Sequence, residues 1–404
     1  MKYVMLIGDG MADYPVEELD GLTPLEASET ENMDRIAASG VLGRVRTVPE
    51  GMEPGSDVAN LSLLGYDPVR YHTGRGALEA ASMGVEIPEG GVAFRMNLVT
   101  VDRRPDGRVI MLSHNSGEVT AEEAAPLLEA LRPALAEDGM ELHQGVGYRH
   151  LLVWPAGPEK TATVPPHDYL GRDVSAYLNA DADPVARLIR RSWAVLEDHP
   201  VNKERRRAGR SPANSIWLWG RGRPPGMPSL FSLYGLKGGV ISAVDLIKGI
   251  GVCAGLTPIH VPGATGLLET DYEGKVRACL EALEEMDLVF LHVEAPDEAG
   301  HAGDPREKIQ AIEYFDRRVV GPVLEGLEAC GRRFRVLVAS DHYTPIIRRT
   351  HTAEPSPFAC AEGRGSVRPR EPRVFSEKEA GRAGLLFDPG WGLMEAFLRG
   401  EGLS

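Results

Sequence analysis

Three short apolar runs along the chain each stop at an acidic residue or one step before it: YVMLIG before Asp9, MDLVFLHV before Glu294 and FRVLVAS before Asp341. Runs of this length bounded by turn residues predict strands buried on both faces. Between them, TENMDRIAASG (30–40), YEGKVRACLEALEEM (272–286) and PREKIQAIEYFDRRVVGPVLEGLEACG (305–331) repeat apolar residues at three- and four-residue spacing. That spacing places an apolar stripe on one side of a helix. Strands alternating with helices imply an α/β fold, a mostly parallel sheet covered by helices. In such a sheet functional loops gather at the carboxyl ends of the strands, where Asp9, Glu294 to His301, and Asp341 to His342 all fall.

The middle of the chain follows a different pattern. From HTGRGALEAASMG it runs through a second strand series (GVAFRMNLVTV, GRVIML, YRHLLVW) to SIWLWGRGRPPGMP, with helices expected in AEEAAPLLEALRPALAEDG and DPVARLIRRSWAVLEDH. We read residues 73–229 as a second domain inserted into the first, which comprises 1–72 and 230–404. Hinges are expected near 70–76 and 224–232. The Pro- and Arg-rich stretches at 221–230 and 361–373 read as loops.

Composition narrows the function. The 404-residue chain is long enough for two or three cores. Its net charge of −15 argues against a nucleic-acid surface, which needs clustered cations. Four cysteines (Cys253, Cys279, Cys330, Cys360) are widely spaced with no CxxC, so neither a disulfide framework nor a Cys-zinc site is expected. A cytoplasmic protein is expected. The opening apolar run, about five residues, is far shorter than a leader or membrane span.

The chemistry concentrates in four segments: IGDGMADYP with Asp9, EPGSDVANLSLLGYDP with Ser56, HVEAPDEAGHAGDP with Asp297 and His301, and VASDHYTPIIRRTH with Asp341, His342 and His351. Three carboxylates, three imidazoles and a hydroxyl suit divalent ions of the Mn, Zn, Co or Mg kind. Seven ligands exceed one tetrahedral site and suggest two ions. Asp297 and His301 share one face if their segment is helical. Taken singly, each residue has an ordinary reading: Asp9 in a turn, Asp297 and His301 on a solvated surface, Asp341 and His342 at a helix start. Ser56 reads as an N-cap, and equally as a phosphate acceptor at a helix N-terminus, where free amides and the helix dipole favour an anion. A serine hydroxyl near neutral pH needs activation, and a metal ion provides it.

These segments, with TPLEAS, GVGYRHLLVW, PPHD, ANSIWLWGRG, GLKGGVISAVDLIKGIG, VPGATG and SDHYTP, resemble the alkaline-phosphatase superfamily, and within it the cofactor-independent phosphoglycerate mutases of archaeal type. The segments occur in the family's order over nearly the whole chain. The resemblance implies an alkaline-phosphatase-like three-layer αβα core with a smaller inserted α/β domain that binds substrate. It implies one metal on Asp9, Ser56, Asp341 and His342, and another on Asp297, His301 and His351, with manganese the favoured ion. Ser56 would be the nucleophile. It would take the phosphoryl group of 3-phosphoglycerate and return it to the 2-hydroxyl of glycerate, without bisphosphoglycerate. Substrate contacts are expected from Arg221, Arg223 and Lys248, and from Arg149 and His150, because cationic side chains suit phosphate and carboxylate. Asp168 and His167 are candidates for proton transfer, and Asp173 ranks equally with Asp168. The chain departs from the family's pattern at LSHNSGEVT (112–120), which stands where members usually carry an Asp-aromatic-small-Ala-Gly stretch. His114 there is either a substituted substrate contact or a loop residue.

Two competing readings remain at this point. A phosphatase, or a phosphotransferase such as a homoserine-kinase-like relative, would keep the serine and both metals and change the acceptor. A non-catalytic metal-stabilised binding protein would need neither an open site nor Ser56. The expected partner is a small phosphorylated substrate, with no nucleic acid and no membrane, in a monomer or small homo-oligomer.

Overall fold

The computed structural model describes residues 1–136, 139–158, 160–161, 164–178 and 182–402. The chain divides into two compact units: 1–72 with 226–404, and 73–225. The second unit thus ends at Pro225 rather than at residue 229.

The described residues of the first unit form an eight-stranded sheet. Its order is Leu386–Phe387, Val41–Val45, Ser356–Arg364, Arg333–Ser340, Lys2–Gly8, Leu288–Val293, Gly238–Ile241 and Thr257–Pro258. The neighbours of Lys2–Gly8 both run parallel to it, and Ser356–Arg364 is antiparallel to both of its own neighbours. Gly8 pairs with Val293 on one side and with Ser340 on the other. The three strands therefore end level, and Asp9, Glu294 and Asp341 leave the sheet at one height.

Alternation along the strands buries both faces. Val4, Leu6, Val289, Leu291, Val336 and Val338 join a core with Met33 and Ile36 of the helix Glu31–Ser39, Val276 and Leu283 of Tyr272–Glu285, and Leu324 and Leu327 of Gly321–Ala329. On the opposite face Tyr3 donates to the carbonyl of Leu398 and packs edge-on against Phe397, both in the helix Gly392–Arg399. Gly251 of the helix Asp245–Cys253 lies against Val240 on that face. Helices on both sides of the sheet make the three-layer αβα core.

The second unit is built on the long strand Val92–Arg103, antiparallel to Val109–Ser113, Arg149–Trp154 and Ser215–Gly222. Phe94, Met96, Leu98 and Trp217 pack against Leu127 and Leu131 of the helix Ala121–Ala136 and against Leu188 and Ile189 of Pro184–Leu196. The expected continuation of the first of these helices through 137–138 lies outside the described residues.

Three expectations need correction. Residues 305–331 form two α-helices, Pro305–Phe315 and Gly321–Ala329, joined through a π-helical turn at Asp316–Val320. A single apolar period cannot reveal a π turn, because the extra residue only rotates the stripe. Residues 361–364 complete the strand Ser356–Arg364 and residues 221–222 complete Ser215–Gly222, where loops were expected. Ser56 is the first residue of the helix Ser56–Leu63, and Gly55 occupies the cap position. Among the described residues, no helix is long and apolar enough to cross a membrane.

Candidate active site

The level strand ends bring the four motif segments together. Asp9 Oδ1 lies 3.3 Å from His342 Nε2, and Asp341 Oδ2 lies 3.6 Å from the same nitrogen. Ser56 Oγ is 3.1 Å from His342 Nε2. Asp297 meets both remaining histidines, with Oδ2 at 3.1 Å from His301 Nε2 and Oδ1 at 3.4 Å from His351 Nε2. The His301 and His351 Nε2 atoms are 3.0 Å apart, and the rings of His342 and His351 are 4.2 Å apart between centroids. All seven sequence-selected residues thus share one cluster.

Local structure holds these groups in place. The carboxylate of Asp341 accepts from the backbone N–H of Gly10 and of His342, and from Asn60 Nδ2, at 2.8–3.0 Å. Asn60 is one turn after Ser56 and its amide also donates to the Ser56 carbonyl, so the helix carrying Ser56 is tied to the strand carrying Asp341. Thr47 adds a second tie, donating to the Asp341 carbonyl while its own carbonyl accepts from Ser62. Asp297 and His301 lie four residues apart on the helix Ala295–Ala302, which is the spacing that puts both on one side.

Charge in the cluster is unbalanced in a way that fits cations. Burial together with the charges of Asp341, Asp297 and Glu294 pushes the Asp9 carboxyl well above the ordinary carboxylate range. Its Oδ1 is buried without a hydrogen-bond partner. Burial also opposes ionisation of Asp297, but hydrogen bonds from His301 and His351 outweigh it and hold that carboxyl well below its usual value. The Asp297 hydrogen bond in turn raises His301 to about 9. Burial pushes His342 down. His301 Nδ1 sits 3.1 Å from the carbonyl of Arg349, an acceptor only, so its proton is on Nδ1 and Nε2 faces Asp297. Nε2 against a carboxylate needs a positive charge between them: the second proton of a cationic imidazole, or a metal ion. Among the described residues, three groups have ligand atoms all within 4.8 Å of one another: Asp297, His301 and His351; Asp9, Asp297 and His342; and Asp9, His292 and Asp341. The donor set suits divalent ions of the borderline kind. Asp297 belongs to two of the groups, so the sets share a ligand rather than dividing cleanly.

Lys248, in the first unit, pairs with Asp245 one turn earlier at 2.7 Å. In the second unit Arg149 is exposed beside the Tyr148 ring, and Arg221 donates through Nε to the carbonyl of Pro158. The backbone carbonyl of Arg223 accepts from Thr73. His150 is buried, accepts from the Gly145 N–H, and is pushed down to about 4 by desolvation. Asp168 is exposed, with His167 Nε2 at 3.6 Å. His114 stacks edge-on to both Tyr148 and His167.

Residues 37–202 match the model of the family described as 2,3-bisphosphoglycerate-independent phosphoglycerate mutase. A protein of that name from Methanothrix thermoacetophila is 54% identical over 363 residues, which span 89% of this chain and 91% of the relative. The chain belongs to this family. Among solved structures, the PH0037 protein from Pyrococcus horikoshii is similar with a TM-score of 0.80 and 29% identity, over 98% of this chain and 96% of that one. A cofactor-independent phosphoglycerate mutase from Thermoplasma acidophilum shares the fold with a TM-score of 0.65 and 24% identity, over 99% of both chains.

Beneath the cluster lies a part that motif reading missed. His292 pairs in register with Ile7, two residues before Asp9, and so faces the same side of the sheet one step below it. It is fully buried, with Nε2 3.4 Å from Asp9 Oδ2 and 3.9 Å from Asp341 Oδ2, and Nδ1 3.4 Å from Glu294. Lys275, also fully buried, donates to Glu294 and to the His292 carbonyl. Burial pushes Glu294 up, yet Lys275 and His292 overcome it and hold the carboxyl well below its ordinary value. The signal in the sequence was a lone histidine near the end of the apolar run LVFLHV. Only the register between strands shows which residues it would meet.

Proposed function

We propose that this chain interconverts 3-phosphoglycerate and 2-phosphoglycerate through a phosphoserine on Ser56, in a site that holds two divalent ions. The observation that carries the reading is Ser56 itself, at the first turn of a helix with its Oγ 3.1 Å from His342 Nε2, among three buried carboxylates. The ligands would be Asp9, Ser56, Asp341 and His342 for one ion and Asp297, His301 and His351 for the other, with manganese the favoured metal. When bound, such ions supply positive charge that lowers the pKa of a hydroxyl and offsets the charge of a phosphoryl group.

Ser56 Oγ attacks the phosphorus of 3-phosphoglycerate. As the Oγ–P bond forms, the serine proton is lost and the bond from phosphorus to the 3-oxygen breaks; that oxygen takes up a proton. Glycerate then turns so that its 2-hydroxyl attacks the phosphoserine; as the bond from the 2-oxygen to phosphorus forms, that hydroxyl gives up its proton, the phosphorus–Oγ bond breaks, and Ser56 Oγ takes a proton back. The amides of the helix's first turn face the transferred group and favour its negative charge. Asp168 is the proposed proton acceptor, because its exposed carboxylate is free of a buried structural role. Arg149, His150, Arg221, Arg223 and Lys248 are the proposed substrate contacts. Membership of the mutase family favours glycerate as the acceptor over water or another alcohol.

The direct test is an assay of purified protein with Mn²⁺ and 3-phosphoglycerate, without bisphosphoglycerate, coupled to enolase. Formation of 2-phosphoglycerate is expected. None with any of Mn, Co, Zn or Mg would overturn the reading.

A further inference from the structure

Thr344 is fully buried two residues beyond His342. Its hydroxyl donates to Asp297 Oδ1 and lies 3.2 Å from His342 Nδ1. A hydroxyl has one hydrogen, and an ionised carboxylate can only accept. Asp297 therefore takes that hydrogen. Towards His342 the Thr344 oxygen is left as an acceptor, which requires the proton on His342 Nδ1. The opposite nitrogen, Nε2, is the one that faces Ser56 Oγ at 3.1 Å and Asp9 Oδ1 at 3.3 Å.

The fold fixes Thr344 from several sides. Its N–H donates to the Ala12 carbonyl, and its own carbonyl accepts from Lys308 Nζ at 2.8 Å. Lys308 is fully buried and paired at 2.7 Å with Asp13, whose carboxylate also accepts from the Ile346 N–H. At Gly10, which has φ +59°, a Cβ would fall 2.5 Å from Thr344 Oγ1 and 2.7 Å from Asp297 Oδ1, so a side chain there would push the hydroxyl out of place.

We propose that Thr344 is a positioning residue whose hydroxyl selects the Nδ1–H tautomer of His342 and so aims a bare Nε2 at the Ser56 hydroxyl. The consequence at Ser56 rests on the mutase reading above; the tautomer does not. Fixing a ring's tautomer through its second nitrogen is how an outer partner tunes a histidine ligand.

The test is ¹⁵N NMR of the full-length, metal-free protein with labelled histidine rings at about pH 8, above the usual histidine range, with His342 assigned from His342→Gln. Wild type and Thr344→Ser should show Nδ1–H at His342, whereas Thr344→Val should lose that preference. In parallel, Thr344→Val should weaken Mn²⁺ binding by about 10–100-fold, with Thr344→Ser restoring it. An Nε2–H tautomer in wild type, or an unchanged tautomer in folded Thr344→Val, would overturn the proposal. If Thr344→Val does not fold, a Thr344→Ser protein with Nε2–H at His342 would overturn it equally. A wild type that makes no 2-phosphoglycerate sinks the mutase reading and leaves the tautomer result standing.

Discussion

Two side chains, placed quite differently, invite substitution. Ser56 sits at a helix start where an N-cap serine was an equal expectation, yet Gly55 holds the cap position. Ser56→Ala should therefore leave the helix and the melting temperature nearly unchanged while abolishing phosphoryl transfer; residual mutase activity at wild-type level would rule out the serine as nucleophile. Glu377 lies outside the cluster, half-buried, accepting from the Asp13 N–H and from Thr23. Burial outweighs those bonds and pushes its carboxyl from 4.5 to about 7. Between these values the folded protein keeps a proton that the unfolded chain has released, so its contribution to stability falls as pH rises through that window. Glu377→Gln should flatten this slope and raise stability at pH 8 by on the order of 1–3 kcal/mol, as read by urea unfolding at several pH values. A mutant with an unchanged pH slope would show that the carboxyl is not the cause. That Asp9, Ser56, Asp297, Asp341 and the three histidines would gather was legible in the sequence, because Asp9 and Asp341 follow recognisable strands, Ser56 starts a helix, and the others lie in the segments beyond those strands. Thr344 and His292 were not, since the meaning of each depends on an atom at least 47 residues or a whole strand away.

At the level of elements, the π turn Asp316–Val320 explains how one helix is finished. The helix Glu31–Ser39 has no capping side chain of its own at Thr30. Asp316 supplies it from elsewhere, accepting from the N–H groups of Asn32 and Met33 and from the Asn32 amide. Helix amides without partners are costly when buried. Asp316→Ala should cost about 1–3 kcal/mol in urea unfolding, while Asp316→Asn should recover part of it. Equal stability of Asp316→Ala and wild type would mean that water satisfies those amides. Helix periodicity showed that residues 305–331 were helical. It did not show the extra residue in the turn, because a bulge changes which side Asp316 faces without disturbing the apolar pattern on either side.

For the molecule as a whole, buried carboxylates crowding one another predict that metal and folding are linked. Burial and three acidic neighbours raise Asp9, and its Oδ1 lacks a hydrogen-bond partner. Chelation with EDTA should lower the melting temperature, and Mn²⁺ at about 100 times its Kd should restore about 2.7 kcal/mol; identical melting curves with and without EDTA would argue that no ion binds there. The sequence alone determined the α/β class, the order of the motifs and the types of ligand, because strand and helix periods and short-range spacing are local properties. It could not determine which carboxylate faces which imidazole. That follows from the parallel register that sets Gly8 level with Val293 and Ser340, so that residues hundreds of positions apart meet at one height. Nor could it determine the proton positions, which depend on a buried hydroxyl having one hydrogen and two neighbours.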